Sequence, residues 1–246
     1  MRAKIEYDDK LGEGIMSTTL FSYCIPYDYG AAPNPFWGLC TLAICKPIIR
    51  RVAKEGDWVV GTGSVNSPIG NVSGRVVYAM RVTRKMTMKE YDQFTQSEFP
   101  GKVPLRESAD PRRLYGDSIF DFSTPIPSLR PSVHNEKNRS TDLSGECVLL
   151  SDHFFYFGDQ PVALPEALRK IVKQGPGHRS RDNAPFVDAF VRWIDNLGYP
   201  LAKPIGKPQW WSQRSFQASC DACAIGQRQE DEADLAGPDA PCSKPC

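Results

Sequence analysis

Asp57 and Asp117 each follow a glycine at the entry to a strand-like run, and His178 sits in the turn sequence Gly175-Pro176-Gly177-His178-Arg179-Ser180-Arg181. Two carboxylates and an imidazole are the groups that pass a proton to and from a reacting centre, provided they lie within hydrogen-bond reach of it. Asp57, Asp117 and His178 are therefore the catalytic candidates, although Gly-Asp pairs are equally ordinary turn chemistry. The turn around His178 has a second use. His178, Arg179, Ser180 and Arg181 together with backbone amides suit a phosphate; otherwise Ser180 or Asp182 simply caps the next helix.

Aromatic residues suggest a different chemistry. Tyr23, Phe36, Trp37, Trp58, Tyr78, Tyr156 and Phe157 are spread through the strand-like part of the chain. Most of them are expected to pack as core. Phe36 and Trp37 differ, because they lie in DYGAAPNPFWG, where prolines stiffen the backbone and little core needs filling. They are expected to wall a pocket that stacks a nucleobase. Asn34, Thr62 and Ser64 would then bond the base edge, and Lys46, Arg50, Arg51, Arg179 and Arg181 would meet phosphates. Extruding a base costs a few kcal/mol and stacking returns about 1–3 kcal/mol per base, so the arginines must supply the remainder.

Other chemistries are disfavoured. Gly61-Thr62-Gly63-Ser64 invites a phosphate-loop reading, but Pro68 and Gly70 deny the helix that must follow, and no Gly-Lys-Ser/Thr is present. His134, His153 and His178 are the three histidines; they fall in separate loops and a strand, a poor basis for a zinc site. No D…(D/E)xK pattern of a nuclease stands out. Of eight cysteines, Cys24, Cys40, Cys45 and Cys147 lie in apolar stretches and read as buried thiols of a reducing, cytoplasmic compartment. A nucleophilic cysteine would need a neighbouring imidazole or a helix N-terminus, which the sequence does not display. Cys220, Cys223, Cys242 and Cys246 have the outline of a zinc ribbon. The 18-residue gap AIGQRQEDEADLAGPDAP, without strand alternation or aromatics, argues instead for a tail without metal. No cofactor is expected.

Thirty basic against twenty-nine acidic side chains give a net charge of +1, which excludes a global pull toward nucleic acid but not a local basic patch. No apolar run of about 18 residues exists, so no membrane partner is expected, and the opening MRAKIEYDDKLGEG is too charged for a secretory signal.

The elements that must position these groups follow from periodicity and punctuation. LFSYCIPY at 20–27 reads as a strand, and Pro47 starts a short helix whose last turn carries Arg50, Arg51 and Lys54. Strands are expected at 58–60, at 75–86, at 116–122 and at 146–158, the last broken near Ser151-Asp152. Helices are expected at 86–95, 163–174 and 184–198, the last with Phe186, Phe190 and Ile194 on one face. Residues 96–115 and 123–145 read as long loops. Strands first and helices last give an α+β fold with a strongly bent or barrel-like sheet. Residues 1–15 are expected to form a flexible arm, 16–205 the domain, and 206–246 a low-order tail.

The segments GAAPNPFWGLCTLAICKPIIRRVAKEGDWVVGTGS, RVVYAMRVT, YGDSIFDF, CVLLSDHFFYFG and GHRS resemble the nucleotide modification associated domain 2 family, over roughly residues 20–198. The resemblance implies a setting in bacterial and phage systems that modify or restrict DNA bases, and DNA or a modified nucleotide as partner, with a modification enzyme alongside. A looser similarity links the order of elements to the PUA-like superfamily, including EVE and ASCH domains, whose small barrels hold a modified or flipped base in an aromatic pocket. Binding of such a base is favoured over catalysis, because no nucleophile and base are legible as a pair. The alternative is an enzyme of nucleotide or base modification.

Overall fold

A computed structural model describes residues 18–212 of the chain. The elements run β1 Leu20–Ile25, β2 Cys40–Leu42, α1 Pro47–Val52, β3 Trp58–Gly63, β4 Arg75–Arg81, β5 Arg84–Thr87, α2 Met88–Ser97, α3 Pro111–Leu114, β6 Phe120–Asp121, β7 Ser128–Leu129, α4 Arg139–Ser144, β8 Cys147–Ser151, β9 His153–Tyr156, β10 Val162–Ala163, β11 His178–Arg179 and α5 Val187–Asp195. Short 3-10 turns lie at Pro100–Lys102, Glu166–Ile171, Arg181–Phe186 and Gln209–Ser212.

β1 is an interior strand of the main sheet, parallel to β3 on one side and antiparallel to β11 on the other. β4 pairs antiparallel with β3, and on its far edge with both β9 and β10. Both faces are covered. Phe21, Tyr23, Val59, Val77 and Met80 enter one apolar cluster with Leu42, Ile49 and Leu149, while Leu20, Trp58, Val60, Val76 and Ala79 enter another with Leu168, Ile171, Phe190 and Ile194. Burial on both sides explains why these strands read as near-continuous apolar runs. α5 seats Phe190 edge-on against Trp58, ring centres 5.8 Å apart.

The ribbon begun by β4 and β9 changes sheet at Val82-Thr83 and Asp152. Beyond that point β5 and β8 join β2 in a separate antiparallel sheet. The expected break at Ser151-Asp152 is therefore a change of partners. The fold is α+β with a mixed sheet, but that sheet does not close into a barrel: β11 and the β9/β10 side remain its two edges. The barrel expectation is corrected on this point. The small sheet of β2, β8 and β5 takes the strands that closure would require.

Three further expectations change. The stretch at 75–86 is two strands, because Thr83 turns to bond Leu150 and Asp152. The helix expected at 163–174 is the 3-10 turn Glu166–Ile171, which still buries Leu168 and Ile171. The stretches read as long loops contain α3 in 96–115 and β7 and α4 in 123–145, while β6 falls within the strand expected at 116–122. α2 begins with a capping box: Thr87 and Glu90 satisfy each other's backbone amides.

Residues 206–212 also belong to the folded body. Trp210 lies near-parallel to Tyr29, ring centres 5.3 Å apart, and the Trp211 indole N–H donates to the Tyr29 carbonyl at 3.0 Å. The arm expected at 1–15 and the four tail cysteines lie outside the described residues. Among the described residues no helix is long and apolar enough to cross a membrane, and no group of three potential ligands could hold a metal ion.

Candidate functional site

The loop between β1 and β2 folds back on itself through an Asn34–Thr41 backbone bridge, presenting Phe36 and Trp37 at its tip. Phe36 is 5% exposed and stacks on Trp211 with centres 5.4 Å apart and planes at 21°. Trp37 is 36% exposed, and the Arg112 guanidinium lies 4.4 Å from its ring centre. Gly101 gives Trp37 its place, since a β-carbon there would come within 2.4 Å of the indole. Phe36, Trp37, Trp211, Arg112, Asp159 and Lys207 line an open cleft of about 760 Å³.

A buried cation fastens this loop. The Lys102 ammonium donates to the carbonyl and Oδ1 of Asn34 at 2.8 and 2.7 Å, to Leu39 O at 2.7 Å and to Thr41 Oγ1 at 3.0 Å. Thr41 and Tyr91 in turn donate to the two oxygens of Asp117 at 2.5 and 2.7 Å. Burial lowers Lys102 to about 8 and raises Asp117 above the ordinary carboxylate range, the nearby Lys102 charge opposing the latter. Asn34 thus supports the loop from behind, with its Nδ2 donating to Tyr115 O at 2.9 Å, and does not line the cleft.

The other expected base-edge groups are elsewhere. Thr62, buried on β3, donates to Tyr23 O at 3.2 Å, and Ser64 accepts from the Asn66 amide at 3.0 Å in a local turn. The expected proton-transfer set is not one constellation either. Asp57 accepts from the amides of Thr19 and Lys54 at 2.7 and 2.8 Å, closing the turn before β3. Asp117 belongs to the Lys102 network, and His178 on β11 packs against Phe21 with ring centres 6.0 Å apart.

The expected phosphate contacts divide. Arg50 is fully buried, donating to the carbonyls of Cys45, Cys147 and Asp142 at 2.7, 3.0 and 2.5 Å. It is a structural clamp and cannot meet a phosphate at the surface. Lys46 is buried, with its ammonium 4.9 Å from the Tyr23 ring centre. Arg51 is exposed beside Ser144 O. Arg179 pairs with Asp182 at 2.8 Å and lines a shallow groove of about 600 Å³ with Arg169, Lys170 and Lys173. Arg181 is exposed next to that strand, and Ser180 makes no side-chain cap.

A second constellation was not expected. Cys45 Sγ lies 3.6 Å from His134 Nε2, and His134 Nδ1 lies 2.5 Å from Asp142 Oδ2. Asp142 Oδ1 accepts the Cys45 amide at 2.9 Å. Because the carboxylate is an acceptor, Nδ1 carries the proton and Nε2 faces the thiol. Cys45 and Lys46 are consecutive left-handed residues, with φ 57° and 42°, in the tight passage from β2 to α1. Such backbone costs about 1–3 kcal/mol per residue and persists only where surroundings enforce it. Asp142 and Arg50 enforce it here, one holding the Cys45 N–H and the other its C=O.

Sequence reading missed Trp211, Arg112 and Lys207 at the cleft. The KPQWW run was a usable signal, since two tryptophans in a polar stretch seldom stay in solvent. It missed the thiol pair because Cys45 and His134 are 89 positions apart.

Searches of curated proteins and of solved structures found no match. One family model matches, described as nucleotide modification associated domain 2, over residues 17–215. That span contains the cleft, the Lys102 network and the thiol constellation, and the chain belongs to the nucleotide modification associated domain 2 family.

Proposed function

We propose that this protein binds a modified or flipped nucleobase, in DNA or as a nucleotide, within a bacterial or phage modification or restriction system. The observation that carries the reading is the cleft in which Phe36 and Trp211 form a stacked floor and Trp37 forms a half-exposed wall under Arg112. A ring system gains about 1–3 kcal/mol from each such aromatic face. Arg112 and Lys207 at the cleft offer positive charge to a phosphate attached to the base, and the Arg169–Lys173–Arg179 groove offers a second basic surface. The family supports a nucleotide-modification setting, in which a modification enzyme would act beside this chain in the cytoplasm.

The test is mass spectrometry of nucleotides co-purifying with the full chain and with Trp37→Ala. A nucleotide carried by the wild type and lost from Trp37→Ala supports the reading. Equal occupancy of the two proteins overturns it. A second reading, an enzyme of nucleotide or base modification, is favoured by one observation, the alignment of Cys45, His134 and Asp142.

A further inference from the structure

The geometry points to Cys45 as a thiol nucleophile, with His134 as its base and Asp142 positioning the imidazole, in an acyl-transfer centre for small amides or esters. The inference stands apart from the aromatic cleft, shares none of its lining residues, and gives the enzyme reading its chemistry.

Four observations converge. Thiol, imidazole and carboxylate lie in line at 3.6 and 2.5 Å, the order of nucleophile, base and orienting group. The carboxylate fixes the tautomer that turns Nε2 toward sulfur. Cys45 sits on a sharp, left-handed turn between a strand and a helix, the backbone setting that lifts a nucleophile out of its sheet. The turn is held by the side chains of two residues that also bond each other: Asp142 Oδ1 accepts the Cys45 amide, and Arg50 donates to the Cys45 carbonyl and to the Asp142 carbonyl. Cys40, the first residue of the strand before this turn, is a buried thiol that burial pushes up to about 12.

The step balances without any further reagent. Cys45 Sγ–H gives its proton to His134 Nε2, and the Sγ–C bond forms at the substrate carbonyl carbon. The C–N or C–O bond then breaks, and the departing amine or alcohol takes the proton back from His134. Water or an amine resolves the thioester, passing its proton to His134 as the C–Sγ bond breaks and the thiol is restored. Cys45 is 5% and His134 4% exposed, so the acyl donor must be small or present a slender end.

The test uses the full chain and two probes. Iodoacetamide labelling is resolved by peptide mass spectrometry, with Cys24 and Cys147 as half-buried internal controls and Cys40 as the inert one. Cys45 is expected to label at least about tenfold faster than Cys24 near pH ~6.5, where an ordinary thiol is mostly protonated. His134→Gln is expected to move the pH inflection of that labelling upward by about one pH unit or more. p-Nitrophenyl acetate is expected to give a burst of nitrophenol and an acetylated Cys45 peptide. Should His134→Gln fail to fold, the wild type still decides: NMR titration of His134 before and after blocking Cys45 with methyl methanethiosulfonate must show the imidazolium titrating at lower pH once the thiolate is gone. Cys45 unlabelled while Cys24 reacts, an unchanged inflection in a folded His134→Gln, or an unchanged His134 titration overturns the assignment. Loss of the cleft reading in the nucleotide test leaves all these readouts untouched.

Discussion

The guanidinium of Arg50 lies against the α-carbon of Gly145, so close that a β-carbon on Gly145 would fall 2.3 Å from Arg50 Cζ. Gly145 ends α4 and Arg50 belongs to α1, so this contact sets how near the helix carrying Asp142 approaches the turn carrying Cys45.

Gly145→Ala follows from that spacing. The guanidinium is held by three carbonyls and has no free direction in which to yield. Overpacking of this kind costs about 1–3 kcal/mol. Chemical denaturation is expected to show that loss. Iodoacetamide labelling of Cys45 should also slow in the folded variant, because α4 is pushed away from the thiol. Wild-type stability would show that α4 shifts freely.

Lys102 gives a larger effect. Lys102→Met removes the donor from Asn34 O, Asn34 Oδ1 and Leu39 O, and strips Asp117 of its nearest cation. Breaking a buried charged network by deleting one member costs about 3–5 kcal/mol. The thermal midpoint should fall accordingly, and tryptophan emission should shift to the red as the Phe36-Trp37 tip loosens. A stable variant with unchanged emission would show that the loop needs no cation behind it.

The cleft is tested at residues that leave the core intact. Arg112→Ala and Lys207→Ala are expected to weaken binding of a nucleotide carrying a phosphate, and binding to the wild type should fall with added salt. Trp37→Ala should weaken it by about 5-fold to 150-fold, the range for one stacking face. Each is read by titration of intrinsic fluorescence or by calorimetry. Arg50→Ala is expected instead to unfold the protein, so it is no measure of phosphate contact.

Asp28 carries a pH signature. Burial pushes its carboxyl up from 3.8 to about 6, against hydrogen bonds from the Tyr156 hydroxyl and the amides of Gln209 and Gly30. Between those two values the folded protein holds a proton that the unfolded chain has released. This group's contribution is therefore present at low pH and declines as pH rises through that window, by about 3 kcal/mol in all. Urea midpoints of the wild type and Asp28→Asn, compared at pH ~4 and pH ~7, should show the smaller pH decline in the variant. Parallel behaviour would mean that the carboxyl titrates normally.

Much of this architecture is legible in the residues. LFSYCI, the Pro47 helix start and the break at Ser151-Asp152 are local statements of β-branching, fixed φ and polarity, and local physics decides them. What is not legible depends on which faces are covered. Thr62 and Asn34 look like groups offered to a ligand, yet the sheet is packed on both sides and they serve Tyr23 O and Lys102 instead. Arg50 looks like a surface cation on a short helix. It turns inward because α4, whose residues begin 89 positions later, supplies the carbonyl of Asp142 there. Trp37 gave more away: a bulky ring on a proline-braced loop had little core to enter, and it remains half open to solvent.

Strand β1 is synthesised well before the segments that pack beside it. Ser22 bonds Ile171 across 149 positions, and Trp211 reaches back to Tyr29 across 182. During translation the nascent polypeptide must therefore leave the ribosome with one edge of its principal sheet still unmatched, a long-range topology that folds slowly and exposes hydrogen-bonding strand to other molecules. Emergence of Trp210 and Trp211, well after the strands, is what lets the segment around Tyr29 finish its packing.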